Sequence, residues 1–232
     1  MDNQKEAFTP RMIIQLLVVV LLLPFLPLLI TRRWDWWEAW VYAVLLILAF
    51  GVSRWLASRR HPDLIAERSR FMQHKNTQPW DQVLARLLGV GSGLLPCAAG
   101  LEHLLSPPGS FSLWIKILAL LMIIAGYSLA SYALMENRFF SGVVRLQTER
   151  GHHPVTGGPY RWMRHPGYAG SLMTFFAIPF WMDSWWTFLP AFLLAAVLVL
   201  RTSLEDRFLQ ENLPGYADYA ARVRFRLLPG VW

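Results

Sequence analysis

Apolar residues in this chain run in long stretches rather than at the spacing of a water-facing amphipathic helix. Met12 to Ile30 is a 19-residue run without a charge, and about 20 apolar residues cross a bilayer as a helix. Its length, Pro24 and Pro27, and the continuation Thr31-Arg32-Arg33-Trp34 read as a span rather than a cleaved leader. Further spans are predicted at about Trp36 to Leu56, Val83 to Leu105 and Phe111 to Met135. The third is weakened by Gly89, Gly91, Gly93 and Pro96, and the fourth carries Lys116 near one end, where it can snorkel. Tyr168 to Met182 and Trp185 to Leu200, parted by Asp183-Ser184, predict a helical hairpin. The fold class expected is an all-α, polytopic transmembrane helical bundle of five to six spans.

Charge sets the topology. With six spans, one face holds the N-terminal tail, segment 54–86, segment 136–166 and the C-terminal tail, with 2, 7, 5 and 5 Lys/Arg, against only Arg32 and Arg33 opposite. The positive-inside rule places the rich face in the cytoplasm, which suits an inner-membrane protein whose polar segments work there. Charged residues are 16% of the chain, below the roughly 25% of an average soluble domain. The formal net charge of +7 reads as topology and contact with anionic lipid. No basic run interleaved with aromatics suggests nucleic acid. One cysteine excludes a disulfide framework, and no His or carboxylate spacing builds a metal site. One integrated membrane domain is expected. Residues 1–136 supply N-terminal spans with an interfacial segment at 57–82. Residues 137–232 supply a loop, the hairpin and a C-terminal helix leaving the membrane.

Two loci concentrate unusual residues. Gln147 to Gly170 packs three His, five Gly and three Pro into 24 residues between spans. That composition specifies a fixed irregular backbone, which beside a bilayer is tolerated where it is packed in protein or lines a polar cavity. The second is Arg201-Thr-Ser-Leu-Glu205-Asp206. Arg201 and Glu205 share a helix face, where a simple ion pair is the plainer reading. The Gly89/Gly91/Gly93 series has no nucleotide fingerprint and suits close helix packing, and Cys97 reads as a packing residue.

Taken in order, Gly-x-Tyr-x-x-x-Arg-His-Pro-x-Tyr-x-Gly (Gly158 to Gly170), Arg-x-x-x-Glu-Asp (Arg201 to Asp206), Gly215-Tyr216-x-x-Tyr219 and Leu228-Pro229 resemble the isoprenylcysteine carboxyl methyltransferase family. The likeness covers about residues 137–229, with a weaker echo at Pro62 to Arg68. Asp206 stands where a second Glu is common, and Leu213-Pro214 where Phe-Gly is usual. The chain looks like a shorter, prokaryotic form. The resemblance implies an integral membrane methyltransferase that uses S-adenosylmethionine without a Rossmann domain. It implies that Gln147, His152, His153, Pro154, Val155, Tyr160, His165, Pro166, Gly167, Tyr168 and Glu205 contact the cofactor. It places Arg201 against the carboxylate of a lipidic or prenylated substrate, with Arg201 and Glu205 carrying catalysis.

Those residue types suit the chemistry. A carboxylate is already ionised at pH 7 and needs no base. The site must align an anion with a sulfonium in a dry, preorganised pocket. Arg201 offers a planar fork to a carboxylate. Glu205 can take an ammonium or ribose hydroxyls, and Tyr160 and Tyr168 offer ring faces. His165 reads as a fixed hydrogen-bonding group. Alternative acceptors are a phospholipid amine or a small thiol. A different class, an NADPH-dependent sterol-reductase-like enzyme, and a non-catalytic partner-binding membrane protein are the further alternatives.

Overall fold

The computed structural model describes residue 20 and residues 22–69, 76–106 and 109–232. Most of the first predicted span, with Lys5, Arg11, Arg70 and Lys75, lies outside them. Its end is helical: a 3-10 turn at Leu23–Phe25 leads into α1 (Leu26–Thr31). Then follow α2 (Trp37–Arg60), α3 (Pro62–Ser69), α4 (Pro79–Gly91), α5 (Leu94–Leu105), α6 (Leu113–Glu136), α7 (Pro166–Trp181), α8 (Phe188–Asn212) and α9 (Tyr216–Arg222). No strand occurs among the described residues.

Four stretches are long and apolar enough to cross a membrane: α2, the α4–α5 pair, α6 and α8. At 16 residues, α7 spans about 24 Å and forms the short arm of the predicted hairpin. The weak third span is two helices, stepping at Ser92-Gly93 where the glycine lies against Val90 O and Leu23. Large apolar side chains face outward, among them Val90, Trp114, Leu118 and Leu189, while the core is rich in alanine. Lipid is as apolar as leucine, so helices associate through close packing of small residues. The α6–α7 contact shows this: a Cβ on Gly126 would strike Gly170 O and Thr174 Oγ1, and one on Gly170 would strike Gly126 O.

The C-terminal ends of α2 and α6 lie on one side. There Arg60 meets Glu136 at 2.9 Å. The opposite end carries exposed Trp34, Trp37, Trp114, Trp185 and Trp186, an interfacial aromatic belt. Lys116 does not snorkel to the headgroups as its position suggested. It turns inward to Glu38 at 2.6 Å and to Asp183, because two carboxylates, one from the start of α2 and one from the hairpin turn, satisfy it better than a stretched side chain. Glu102 beside them accepts hydrogen bonds from Ser184 Oγ at 2.6 Å and Trp186 N at 2.9 Å. The C-terminal helix expected to leave the membrane is also divided. The last span runs on to Asn212, Gly215 adopts φ +79, and α9 turns back as a separate short helix.

Candidate active site

The loop from Asn137 to His165 is irregular, as its Gly and Pro content requires, with short 3-10 turns at Thr148–Arg150 and Gly158–Arg161. Salt bridges pin it to the α3 segment. Arg138 and Arg150 meet Asp63 at 2.9 and 2.7 Å, and Arg145 meets Glu67 at 2.8 Å. Burial alone would raise the Asp63 carboxyl, but hydrogen bonds from Arg150 and Arg138 outweigh it and hold it below the usual range. Gly158 has φ +52 and sits against Glu136 and Tyr132, so a side chain there would be both strained and crowded.

A cavity opens between this loop, the start of α7, the middle of α8 and α9. Of the residues singled out in the sequence, Gln147, His152, His153, Pro154, Val155, Tyr160, His165, Gly167, Tyr168, Arg201 and Glu205 all border it. Pro166 does not; it begins α7, where its fixed φ suits the first helical turn. Asn137, Phe139, Val143, Tyr216 and Tyr219 complete the wall.

Tyr168 organises the floor. Its hydroxyl donates to Glu205 Oε2 at 2.6 Å, and its ring lies 5.3 Å from the Arg201 guanidinium carbon and parallel to the His165 ring at 5.7 Å. Glu205 has no cation within ion-pair distance among the described residues, so its other oxygen keeps its acceptor capacity. Arg201 is committed elsewhere. Its Nε and Nη2 donate to the Asp81 carboxylate at 2.7 and 3.2 Å, and Nη2 also donates to Gly142 O at 3.1 Å. The predicted fork is therefore closed on a protein carboxylate, and Nη1 is the nitrogen left for another partner. Asp81, fully buried, also accepts the Val144 amide at 2.6 Å. It ties α4, the loop and α8 at one point, and sequence reasoning missed it. Asp81 is the third residue of a helix whose N-terminus reads Pro79-Trp80, where an acid is ordinary, and its partner lies 120 positions away.

Asp206 lies one position beyond Glu205 and faces away from the cavity. It receives Arg164 through two bonds at 2.7 and 2.8 Å, Arg226 at 2.9 Å and the Tyr216 hydroxyl at 3.2 Å. His165 Nε2 lies 3.3 Å from the same carboxylate. The Arg164 and His165 amides donate to Phe225 O and Arg226 O, which folds the C-terminal tail under the loop. His165 is thus fixed on two sides.

The loop side is equally occupied. Gln147 donates from Nε2 to Phe139 O at 2.8 Å and accepts from Arg150, so both ends of its amide are engaged. The Gln147 amide N donates to His152 Nδ1 at 3.3 Å, which leaves the proton of neutral His152 on Nε2. Burial, with His153, Arg145 and Arg150 adding positive charge, pushes His152 down to about 4. Tyr160 receives Asn137 at 3.2 Å, and burial pushes its phenol up, so it is neutral. The cavity therefore presents ring faces, one carboxylate, Glu205, without an ion-pair partner among the described residues, and three guanidinium groups, Arg145, Arg164 and Arg201, each held by a carboxylate.

Such a polar cavity, roofed by a Gly/Pro-rich loop at one end of a bundle of apolar helices, defines the class as a polytopic helical protein with a polar pocket beside its spans. Comparison with known proteins finds similar chains. Residues 114–214 match the model of the phospholipid methyltransferase family. A rice protein (Oryza sativa subsp. indica), a probable protein-S-isoprenylcysteine O-methyltransferase, is 29% identical over 137 residues. That is 59% of this chain and 66% of the rice protein, so the match spans just under two thirds of that relative's length. Protein-S-isoprenylcysteine O-methyltransferase A of Arabidopsis thaliana is 38% identical over 61 residues, 26% of this chain and 31% of the plant protein. Over these stretches the chain is similar to membrane methyltransferases, and among the curated relatives to isoprenylcysteine O-methyltransferases.

Proposed function

We propose that this protein transfers a methyl group from S-adenosylmethionine to a carboxylate on a lipidic, isoprenylcysteine-like acceptor, at the cytoplasmic face of the membrane. The observation that carries the reading is the Tyr168–Glu205 pair beside the Asp81-held Arg201, in one cavity under the loop. The cavity suits the cofactor's chemistry. Glu205 has an oxygen for an ammonium or ribose hydroxyls, and Tyr160, Tyr168, Tyr216 and Tyr219 provide ring faces for an adenine or a sulfonium. The cofactor would supply an electrophilic methyl carbon; alignment and the exclusion of water belong to the chain. Asp81 neutralises Arg201, so the pocket does not repel a second cation. Nη1 of Arg201 would hold the acceptor carboxylate at a single point. The fixed loop limits water.

A phospholipid amine is the second reading, favoured by the family model that matches residues 114–214. An amine must lose a proton, and Glu205 is the cavity carboxylate with capacity to take it, since His165 is turned to Asp206. Labelled S-adenosylmethionine offered with carboxyl, amino and thiol amphiphiles separates the two. Transfer to the carboxyl acceptor is expected; transfer to the amine alone would replace the first reading by the second. Calorimetry with S-adenosylmethionine, its demethylated product and NADPH tests the class, and binding of NADPH alone would remove methyl transfer altogether.

A further inference from the structure

Ser92-Gly93, where the weak third span breaks into α4 and α5, borders a second cavity of about 220 Å³ that reaches between α2, α6 and α7. A broken helix at membrane depth is tolerated where it lines a cavity or is packed in protein. Gly126, Ala130 and Gly170 leave the α6–α7 wall without side-chain bulk. Among the described residues, nothing charged borders the space. Tyr42 and Phe50 from α2, Tyr127 from α6 and Phe175 from α7 line it with aromatic rings.

The hydroxyl groups of this cavity are of two kinds. Ser92, Ser171 and Thr174 spend their protons on carbonyls of the preceding turn, Gly89 O at 2.8 Å, Gly167 O at 3.1 Å and Gly170 O at 2.9 Å. The phenols of Tyr42 and Tyr127 have no hydrogen-bond partner among the described residues. Neither oxygen is sealed in protein, as His61 Nε2 and Arg68 Nε are. Tyr42 is only 4% exposed and borders the cavity, so the open space its oxygen meets is the cavity itself. Water does not account for the volume: the space would hold several molecules, each needing two to four polar partners, and two phenols cannot supply them. A cavity of about 150 Å³ already admits a benzene-sized ring.

We infer that this cavity is a binding site for an uncharged quinone ring, which lies among the aromatic side chains and accepts hydrogen bonds from the Tyr42 and Tyr127 hydroxyls. Carbonyl oxygens accept and ask for no donor's partner in return, which suits two unspent donors. A quinone carries its carbonyls on opposite edges, so phenols standing on different helices can each find one. A charged headgroup would meet no counter-charge among the described residues. Neither tyrosine borders the first cavity, and nothing in this depends on which acceptor is methylated.

The test is calorimetry on the purified full-length protein in dodecyl maltoside, with titrations into empty micelles subtracted. The probes are duroquinone, whose fully substituted ring leaves no free position for the Cys97 thiol to attack, and durene, the same methylated ring without oxygens. Ethyl decanoate, a flexible ester, is the third. Duroquinone is expected to bind at about one molecule per chain and about tenfold more tightly than durene, the effect of one or two hydrogen bonds in a dry site. The Tyr42→Phe/Tyr127→Phe variant keeps both rings and loses only the hydroxyls. It should bind durene as the wild type does and bind duroquinone no better, which separates loss of the donors from loss of the fold. Equal affinity of the wild type for duroquinone and durene would overturn the inference, as would a preference surviving in the Phe variant. Tighter binding of ethyl decanoate than of duroquinone would overturn it in favour of an ester lipid. S-adenosylmethionine binding, measured on the same samples, reports on the methyltransferase reading independently.

Discussion

At the scale of single residues, the pairing of Arg201 with Asp81 changes what each is expected to do. If the cavity works as proposed, by aligning acceptor and cofactor, Arg201→Ala should reduce turnover by about two orders of magnitude or more. Arg201→Lys should fare little better, because one ammonium cannot hold Asp81 through two bonds and still reach an acceptor. Turnover near wild type in the Lys variant would refute that division of the guanidinium. Asp81→Ala leaves a buried cation alone and should cost about 3–5 kcal/mol of stability. The double variant Asp81→Leu/Arg201→Met should recover most of it in thermal unfolding, while staying inactive. His152 gives a pH prediction. Its folded value of about 4 lies below the ordinary 6.5. Its contribution to stability is therefore complete above pH 6.5 and is lost as pH falls toward 4. The unfolding temperature of the wild type should drop across that window more than that of His152→Phe; parallel curves would show that His152 is not the group responsible.

At the scale of elements, glycines decide how α6 and α7 cross. Gly170→Ala would bring a Cβ within 3.0 Å of Ala130 N and closer still to Gly126 O, so it should cost about 1–3 kcal/mol as overpacking. Gly51→Ala and Gly89→Ala meet nothing within 4 Å and should be neutral or stabilising by up to about 1 kcal/mol. Unfolding in mixed micelles ranks the three, and equal effects would deny the crossing. This is also where the limits of sequence reading lie. Four of the spans were legible because bilayer thickness imposes a length on any apolar helix, and the hairpin because Asp183-Ser184 interrupts one. The cavity wall was legible from Tyr160, His165, Tyr168, Arg201 and Glu205 because their motifs are local. Asp63, Glu67 and Asp81 were not. A carboxylate on a short polar segment carries no mark of a partner 60 to 120 positions away. Lys116 was misread for the same reason, since its two acids arrive from α2 and from the hairpin end.

At the scale of the whole molecule, charge pairing runs between the halves. Arg138, Arg145, Arg150 and Arg201 lie in the segment that carries the motifs. Asp63, Glu67 and Asp81, which neutralise them, lie in the segment before it. Residues 113–232 expressed alone should fail to reach the membrane as a stable monomer. Co-expression with residues 1–106 should restore a complex that co-purifies in mild detergent. A stable, cofactor-binding C-terminal fragment would contradict this.

The same arrangement constrains how such a chain can change. The stretch shared with its relatives is not a cassette. Grafting it onto another set of anchoring helices would succeed only if the host supplied acids at three matching places, so exchange of parts between such proteins should be rare, and the two halves should drift together.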